Sequence, residues 1–508
     1  MIQAATSLRS VAGLSLLTLG QMGLQFAFQI LLARQFGARE EMDSFFAALT
    51  LPMVVSGLLA GSLASAFVPV YIETKQRAGE TAAWTMAVQV TCWMFLLTVV
   101  LWKGTTYFAE PWMRALHPNF DDEQIWRTEE LLGTLSSLII WNTLGGLARA
   151  WNHCLGRFSV TGFAALVGNG VTLGVAYWRA KEGGLDAVAQ AVCIGAVIAF
   201  AMQMPWVSLF SRGWPVTSES QSALRRCFVL MLPLVFGLAC NQCDPLLDQY
   251  LVPGLPGGVS HLGYAARLAA AVTTLATSGL AVVAFPALVR HAAERDDDKL
   301  RVEIAGALRF LTLLLVPIVV ALVGFGSPLI RDLLQRGRFL PGDTKEVAGL
   351  LALLCGMIVG GSVGEIAAKV FYSAQNTRTP VVVGLIGFAI GVTLKLMWSP
   401  SSGVAGLAAA TSVFYLFNAV VLLTLISWRL GWGIFRGVIG TLIRTSIGSG
   451  IAVGVGRYVL QTSWPFPALI GGLAGGVTLL IVLIALRDEV AWRALRMLLP
   501  ARQQEPRS

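Results

Sequence analysis

The sequence predicts an all-α polytopic membrane protein with about fourteen transmembrane helices, arranged as two pseudo-symmetric six-helix lobes plus a C-terminal helix pair. Three observations predict it. Of 508 residues, 56% are hydrophobic and only 13% are charged, where a soluble domain carries about 25% charged residues. Apolar runs of about 20 residues, long enough to cross a bilayer, recur along the whole chain with short linkers between them. One long stretch also occurs twice.

That repeat sets the frame. The stretch from Tyr264 to Pro286 resembles the one from Phe46 to Pro69, and five pairs stand at a constant shift of 218 residues: Phe46 meets Tyr264, Gly61 meets Gly279, Ala66 meets Ala284, Phe67 meets Phe285 and Arg77 meets Arg295. Trp151 to Arg157 meets Tyr372 to Arg378 at a shift of 221. An even number of spans per half makes the repeats parallel, related by an axis along the membrane normal.

In order, residues 1–212 form the first lobe, with spans near 8–33, 43–71, 84–109, 130–153, 159–179 and 185–210. Residues 213–430 form the second, with spans near 227–252, 262–289, 302–325, 346–373, 380–399 and 402–427. Residues 431–487 carry the pair, near 438–460 and 465–486, and residues 488–508 are a cytoplasmic tail. Placing the N-terminus inside puts Lys75, Arg77, Arg225, Arg226, Arg290, Lys299, Arg301, Arg429 and the arginines from Arg487 onward on the cytoplasmic side. The outer side receives fewer basic residues, so both termini are expected inside. Trp112, Trp126, Trp398, Trp432 and Trp464 fall near span ends, as an interfacial belt would.

The net charge of +9 follows the linkers and makes no basic face on a soluble domain, which excludes nucleic-acid binding. Cys240 and Cys243 give the one C-x-x-C spacing; without a second ligand pair or a nearby histidine it favours helix packing over a metal or redox role. No Walker motif and no G-x-S-x-G appears, and the four histidines are dispersed in loops or span ends, where an interfacial role is expected. No enzyme constellation and no cofactor is expected.

Polar groups inside the spans are the candidate functional residues. Arg267 lies near the start of the second copy of the repeat, where the first copy has Leu49. An arginine at membrane depth costs at least a few kcal/mol, so it is expected to face a cavity or a partner. Glu365 and Lys369 are four apart and share a helix face. They form either a cavity pair facing Arg267 or a self-neutralising pair that lets the helix cross. Asn241, Gln242, Asp244 and Asp248 surround Pro245 in the seventh span. Proline frees a carbonyl, and carboxylates beside freed carbonyls at a broken helix hold Na+ or H+ in transporters; the alternative is that Asp248 is solvated at the outer end. A break near Pro245 is therefore expected. Lys395 is expected to snorkel to the outer surface.

Several segments then resemble a known family. Ala33-Arg-Gln-Phe-Gly-Ala38, Asp43-Ser-Phe-Phe-Ala-Ala48, Leu51-Pro52 and Ala66-Phe-Val-Pro69 look like the opening of the lipid II flippase (MurJ, MviN) family. Gly156-Arg-Phe-Ser159, Tyr264-Ala-Ala-Arg267, Leu334-Gln-Arg-Gly-Arg-Phe339 and Phe371 to Pro380 continue the likeness. The resemblance covers nearly the whole chain. It implies the multidrug/oligosaccharidyl-lipid/polysaccharide exporter fold, with a central cavity and a further helix pair shaping a groove for the lipid tail. It also implies a bacterial inner-membrane flippase of a polyprenyl-diphosphate-linked saccharide, working by alternating access in cell-wall synthesis. Its partners would be the lipid-linked glycan, membrane lipids and cell-wall synthesis proteins. Of the family's substrate-binding set, Asp43 and Arg267 stand here. The positions of its first-lobe cavity arginines carry Met22, Phe28, Ser56 and Gly57, and an acidic position carries Gly61. A cation-coupled multidrug exporter of the same superfamily and a non-transporting membrane scaffold are the competing readings.

Overall fold

The computed structural model describes the backbone of residues 2–204, 213, 215–252, 254, 256–294, 296–374, 376–461 and 467–485, and the side chains of most of these from Leu16 onward. The expected cytoplasmic tail, 488–508, lies outside the described residues, as does the side chain of Asn241. Among the described residues every regular element is a helix. In chain order they are α1 (Ile2–Phe36), α2 (Glu40–Tyr107), α3 (Ala109–Leu116), α4 (Asp122–Leu135), α5 (Leu138–Cys154), α6 (Phe158–Gln203), α7 (Ser218–Leu251), α8 (Gly258–Ala293), α9 (Asp297–Leu334), α10 (Pro341–Leu353), α11 (Cys355–Ser373), α12 (Arg378–Leu430), a 3-10 turn (Trp432–Phe435), α13 (Val438–Val459) and α14 (Pro467–Ala485). Nine helical stretches among the described residues are long and apolar enough to cross a membrane.

Three of them are divided by a glycine whose φ is positive: Gly79 in α2, Gly184 in α6 and Gly403 in α12. Gly184 (φ 56°, ψ −146°) and Gly403 (φ 55°, ψ −135°) adopt the same conformation, one that a Cβ disfavours. They stand 219 residues apart, between the two shifts of the sequence repeat, 218 and 221. The pattern recurs at α4–α5 and α10–α11. Each is an apolar helix interrupted after 13 or 14 residues, then resumed. The repeat read from side chains is therefore also a repeat of backbone irregularities.

By contact the chain forms two compact units, Met1–Ser260 with Gly337–Phe339, and His261–Arg336 with Leu340–Ser508. The first has its core where α2, α5 and α7 meet. Phe67 stacks on Tyr71 (centroids 5.5 Å apart) and Trp84 packs on Trp151 (4.8 Å), with Leu63, Met86 and Leu144 around them. In this unit α7 runs antiparallel to α2. Gln249 donates to the Phe46 carbonyl and the Thr50 hydroxyl near one end, and Arg226 pairs with Glu73 at 2.7 Å near the other. The core of the second unit joins α9, α11 and α12 through Leu300, Ile304, Leu308, Val370, Leu422 and Ile426.

Two expectations change here. The seventh span is not broken at Pro245: α7 is one helix from Ser218 to Leu251, passing through Pro233 and Pro245. Its packing along α2 holds it continuous where the ring removes a ladder bond. Lys395 does not snorkel: it is 1% exposed, so its stem and ammonium are enclosed by protein.

Candidate functional site

Asp43 enters from the first turn of α2, a turn rich in acidic residues, and is 2% exposed. One carboxylate oxygen accepts from the Gly257 N–H at 2.7 Å and the other from the Ser260 N–H at 2.6 Å. These N–H groups open α8, where a helix has donors without intrahelical partners and a positive dipole end. Asp43 is thus a cap supplied across the tertiary structure, and its burial is accounted for without a ligand. It fixes the start of the helix that carries Arg267. Just beyond the cap, His261 Nε2 lies 3.0 Å from Asp343 Oδ1, and the other oxygen of Asp343 accepts the Leu340 N–H at 2.8 Å. This pair ties the start of α8 to the start of α10; neither partner stood out in the sequence.

Arg267 lies on α8 one turn after the buried Tyr264 and is itself partly buried. Lys369 Nζ donates to Glu365 Oε1 at 2.6 Å, so these two neutralise each other. They do not sit opposite Arg267. The His261–Asp343 pair and the approach of Thr273 to Gly361 show that α8 runs parallel to α10–α11. At 1.5 Å per residue, Arg267 and Glu365 differ in depth by about 15 Å. Arg267 therefore keeps its own level of the second unit.

On α7, Asp244 and Asp248 are partly buried and four residues apart, one above the other on a single face. Gln242 is committed to packing: its amide oxygen lies 3.1 Å from where a Cβ on Gly57 would stand. Leu238 approaches Gly61 in the same way at 3.2 Å. The small residues of α2 let α7 close against it, at the positions where the resemblance places cationic and acidic side chains. No group of three or more metal-ligating side chains occurs among the described residues.

The second unit also holds an apolar cavity of about 240 Å3 between α9, α13 and α14, lined among others by Pro317, Phe325, Ala452, Gly456, Gly472 and Gly476. The backbones of α13 and α14 nearly touch: a Cβ on Gly471 would stand 2.8 Å from the Gly456 carbonyl oxygen. The glycine run of the last span is therefore both a packed face and the wall of a groove. Beside it, Arg457 Nε donates to the Gly324 carbonyl at 3.0 Å. Pro328, four residues on, has no N–H to give that carbonyl, so α13 supplies the donor that α9 lacks.

The comparisons agree with this architecture. The family model described as lipid II flippase MurJ matches residues 32–470. A lipid II flippase MurJ of Burkholderia cenocepacia is 27% identical over 430 residues, covering 82% of each chain. A probable lipid II flippase MurJ of Vibrio cholerae is 26% identical over 435 residues, again covering 82% of each. Among solved structures, a lipid II flippase MurJ in an inward closed conformation superposes with a TM-score of 0.79 at 20% identity, over 94% of this chain and 99% of that one. An inward-facing multidrug resistance MATE family transporter gives 0.66 at 14% identity, over 81% and 95%. With most of its length matched by the family model, the chain belongs to the lipid II flippase MurJ family.

Proposed function

We propose that this protein is a flippase that carries a polyprenyl-diphosphate-linked saccharide, with lipid II as the family substrate, across the bacterial cytoplasmic membrane by alternating access. The observation that carries this reading is the family match over residues 32–470. The apolar groove beside α13 and α14 supports it, because a polyprenyl tail needs such a surface and a small cationic drug does not. The multidrug-exporter reading is weaker, since the MATE transporter covers less of the chain at a lower TM-score. The protein acts without covalent catalysis. The excess of Lys and Arg on one side supports both termini being cytoplasmic; a reporter fused in the His117 loop should then read outside.

Arg267 is the residue that meets the diphosphate. A diphosphate loses hydration on binding, and a guanidinium replaces it with two parallel hydrogen bonds. Lys369 contributes little field, being held by Glu365. Arg267→Ala should abolish flipping measured in reconstituted vesicles. Arg267→Lys should recover only part of it, because an ammonium loses the bidentate geometry. Full activity of a well-folded Arg267→Ala would overturn this role. In cells, depletion should cause the lipid-linked precursor that the protein carries to accumulate, and its headgroup identifies the substrate. A coupling cation, Na+ or H+, is proposed to bind at Asp244 and Asp248 of the continuous α7. Unchanged ion dependence in both Asp244→Asn and Asp248→Asn would remove that proposal.

A further inference from the structure

Gln21, Gln25 and Gln29 stand on α1 at a spacing of four residues. On a helix they make one row, about 12 Å long. The rest of α1 shows which way the row points. Gly20 and Leu24 pack against Leu166 and Gly170 of α6, which fixes the side that faces the first unit's own helices. Leu16 and Leu19 are 70% and 53% exposed, which marks an apolar outer side. At 100° per residue, Gln25 lies about 120° from the α6 side and roughly 150° from the middle of the exposed leucine side. Gln25, the middle of the row, therefore points away from both the α6 contact and the apolar surface, with Gln21 and Gln29 flanking it by about 40° on either side. Gln25 is exposed, and Gln29 Oε1 is buried and accepts no hydrogen bond among the described residues.

A row of amides at membrane depth is costly unless it meets water or polar partners. A carboxamide carries two donors and an acceptor with two lone pairs, which matches a sugar, whose hydroxyls donate and accept side by side. Diphosphate would select guanidinium or ammonium groups instead, and no basic residue stands on α1 between Gln21 and Gln29.

We propose that Gln21, Gln25 and Gln29 form a ladder that binds the uncharged saccharide of the substrate headgroup, while the diphosphate is held elsewhere. The proposal rests on the flippase reading above and specifies what the first unit recognises.

The test uses the full chain in lipid nanodiscs, with binding of lipid II and of sugar-free undecaprenyl diphosphate measured by native mass spectrometry. The wild type should prefer lipid II by roughly tenfold, as a few net hydrogen bonds would give. Gln21→Leu/Gln25→Leu/Gln29→Leu should bring the two lipids close to equal affinity, with undecaprenyl diphosphate binding unchanged. Gln25→Leu alone, at an exposed position that accepts an apolar side chain, should lower the preference roughly threefold, which covers failure of the triple variant to fold. An unchanged preference in Gln25→Leu overturns the ladder. Equal loss of both lipids overturns it too, as does a changed oligomeric state with unchanged preference, which would assign the row to helix pairing. A wild type that binds neither lipid overturns the flippase reading, and the ladder with it.

Discussion

The imidazole of His117 is 2% exposed and stacks on Phe120 with ring centroids 4.7 Å apart. Its place in a loop after α3 suggests an interfacial side chain, yet the ring is enclosed. Removal from water disfavours the cation and pushes the pKa down to about 4 from 6.5. The sign of the consequence follows. Between pH 6.5 and 4 the unfolded chain binds a proton there that the folded chain refuses, so stability falls as pH falls through that window. The loss would reach about 3 kcal/mol at its lower end. His117→Leu should flatten the drop in apparent Tm between pH 6.5 and 4 while leaving Tm at pH 8 within a few degrees; an unchanged drop would show that other groups carry the pH dependence. Asp43 and Lys395 teach the same lesson at this scale. The family resemblance marked Asp43 and the span pattern marked Lys395, but only the folded chain shows that Asp43 caps α8 and that Lys395 is enclosed. A side chain's partner lies hundreds of residues away, and one sequence carries no record of that pairing.

At the scale of elements more was legible. The runs of about 20 apolar residues marked the helices, and the shift of 218 residues marked the repeat, because both are properties of the local string. The continuity of α7 was not, since a proline bends or breaks a helix according to what packs along it. The contact between α2 and α7 decides that outcome, and it makes a prediction against intuition. Gly57 stands where the resemblance places a cavity arginine, so Gly57→Arg looks like a restoration. Gln242 already lies 3.1 Å from the site of a Cβ there. Gly57→Arg should therefore destabilise by about 1–3 kcal/mol as an overpacked contact, seen as a lower Tm in detergent. Gln242→Ala in the same chain should recover part of the loss. Equal Tm for wild type and Gly57→Arg would mean that α7 yields freely.

Over the whole molecule, the headgroup and the tail of a lipid-linked substrate demand opposite surfaces, and the chain provides both kinds. Polar and charged groups stand on α1 and α8, and an apolar cavity of about 240 Å3 lies between α9, α13 and α14. The glycines of α14 separate into two roles that can be tested independently. A Cβ on Gly471 or Gly475 would meet a backbone carbonyl of α13 at 2.8 or 2.9 Å, whereas one on Gly472 or Gly476 would meet nothing within 4 Å. Gly472 and Gly476 line the cavity, so larger side chains there project into open groove without parting the helices. Gly472→Leu and Gly476→Leu should therefore leave expression and Tm near wild type, since each also trades a helix glycine for a better helix former. Flipping of a long-chain undecaprenyl substrate should fall severalfold, because its tail loses apolar surface to cover. A short farnesyl analogue with the same headgroup should be moved at the wild-type rate. A parallel loss for both lipids would place the leucines' effect on the transport cycle itself, and no loss for either would show that the tail does not use this groove.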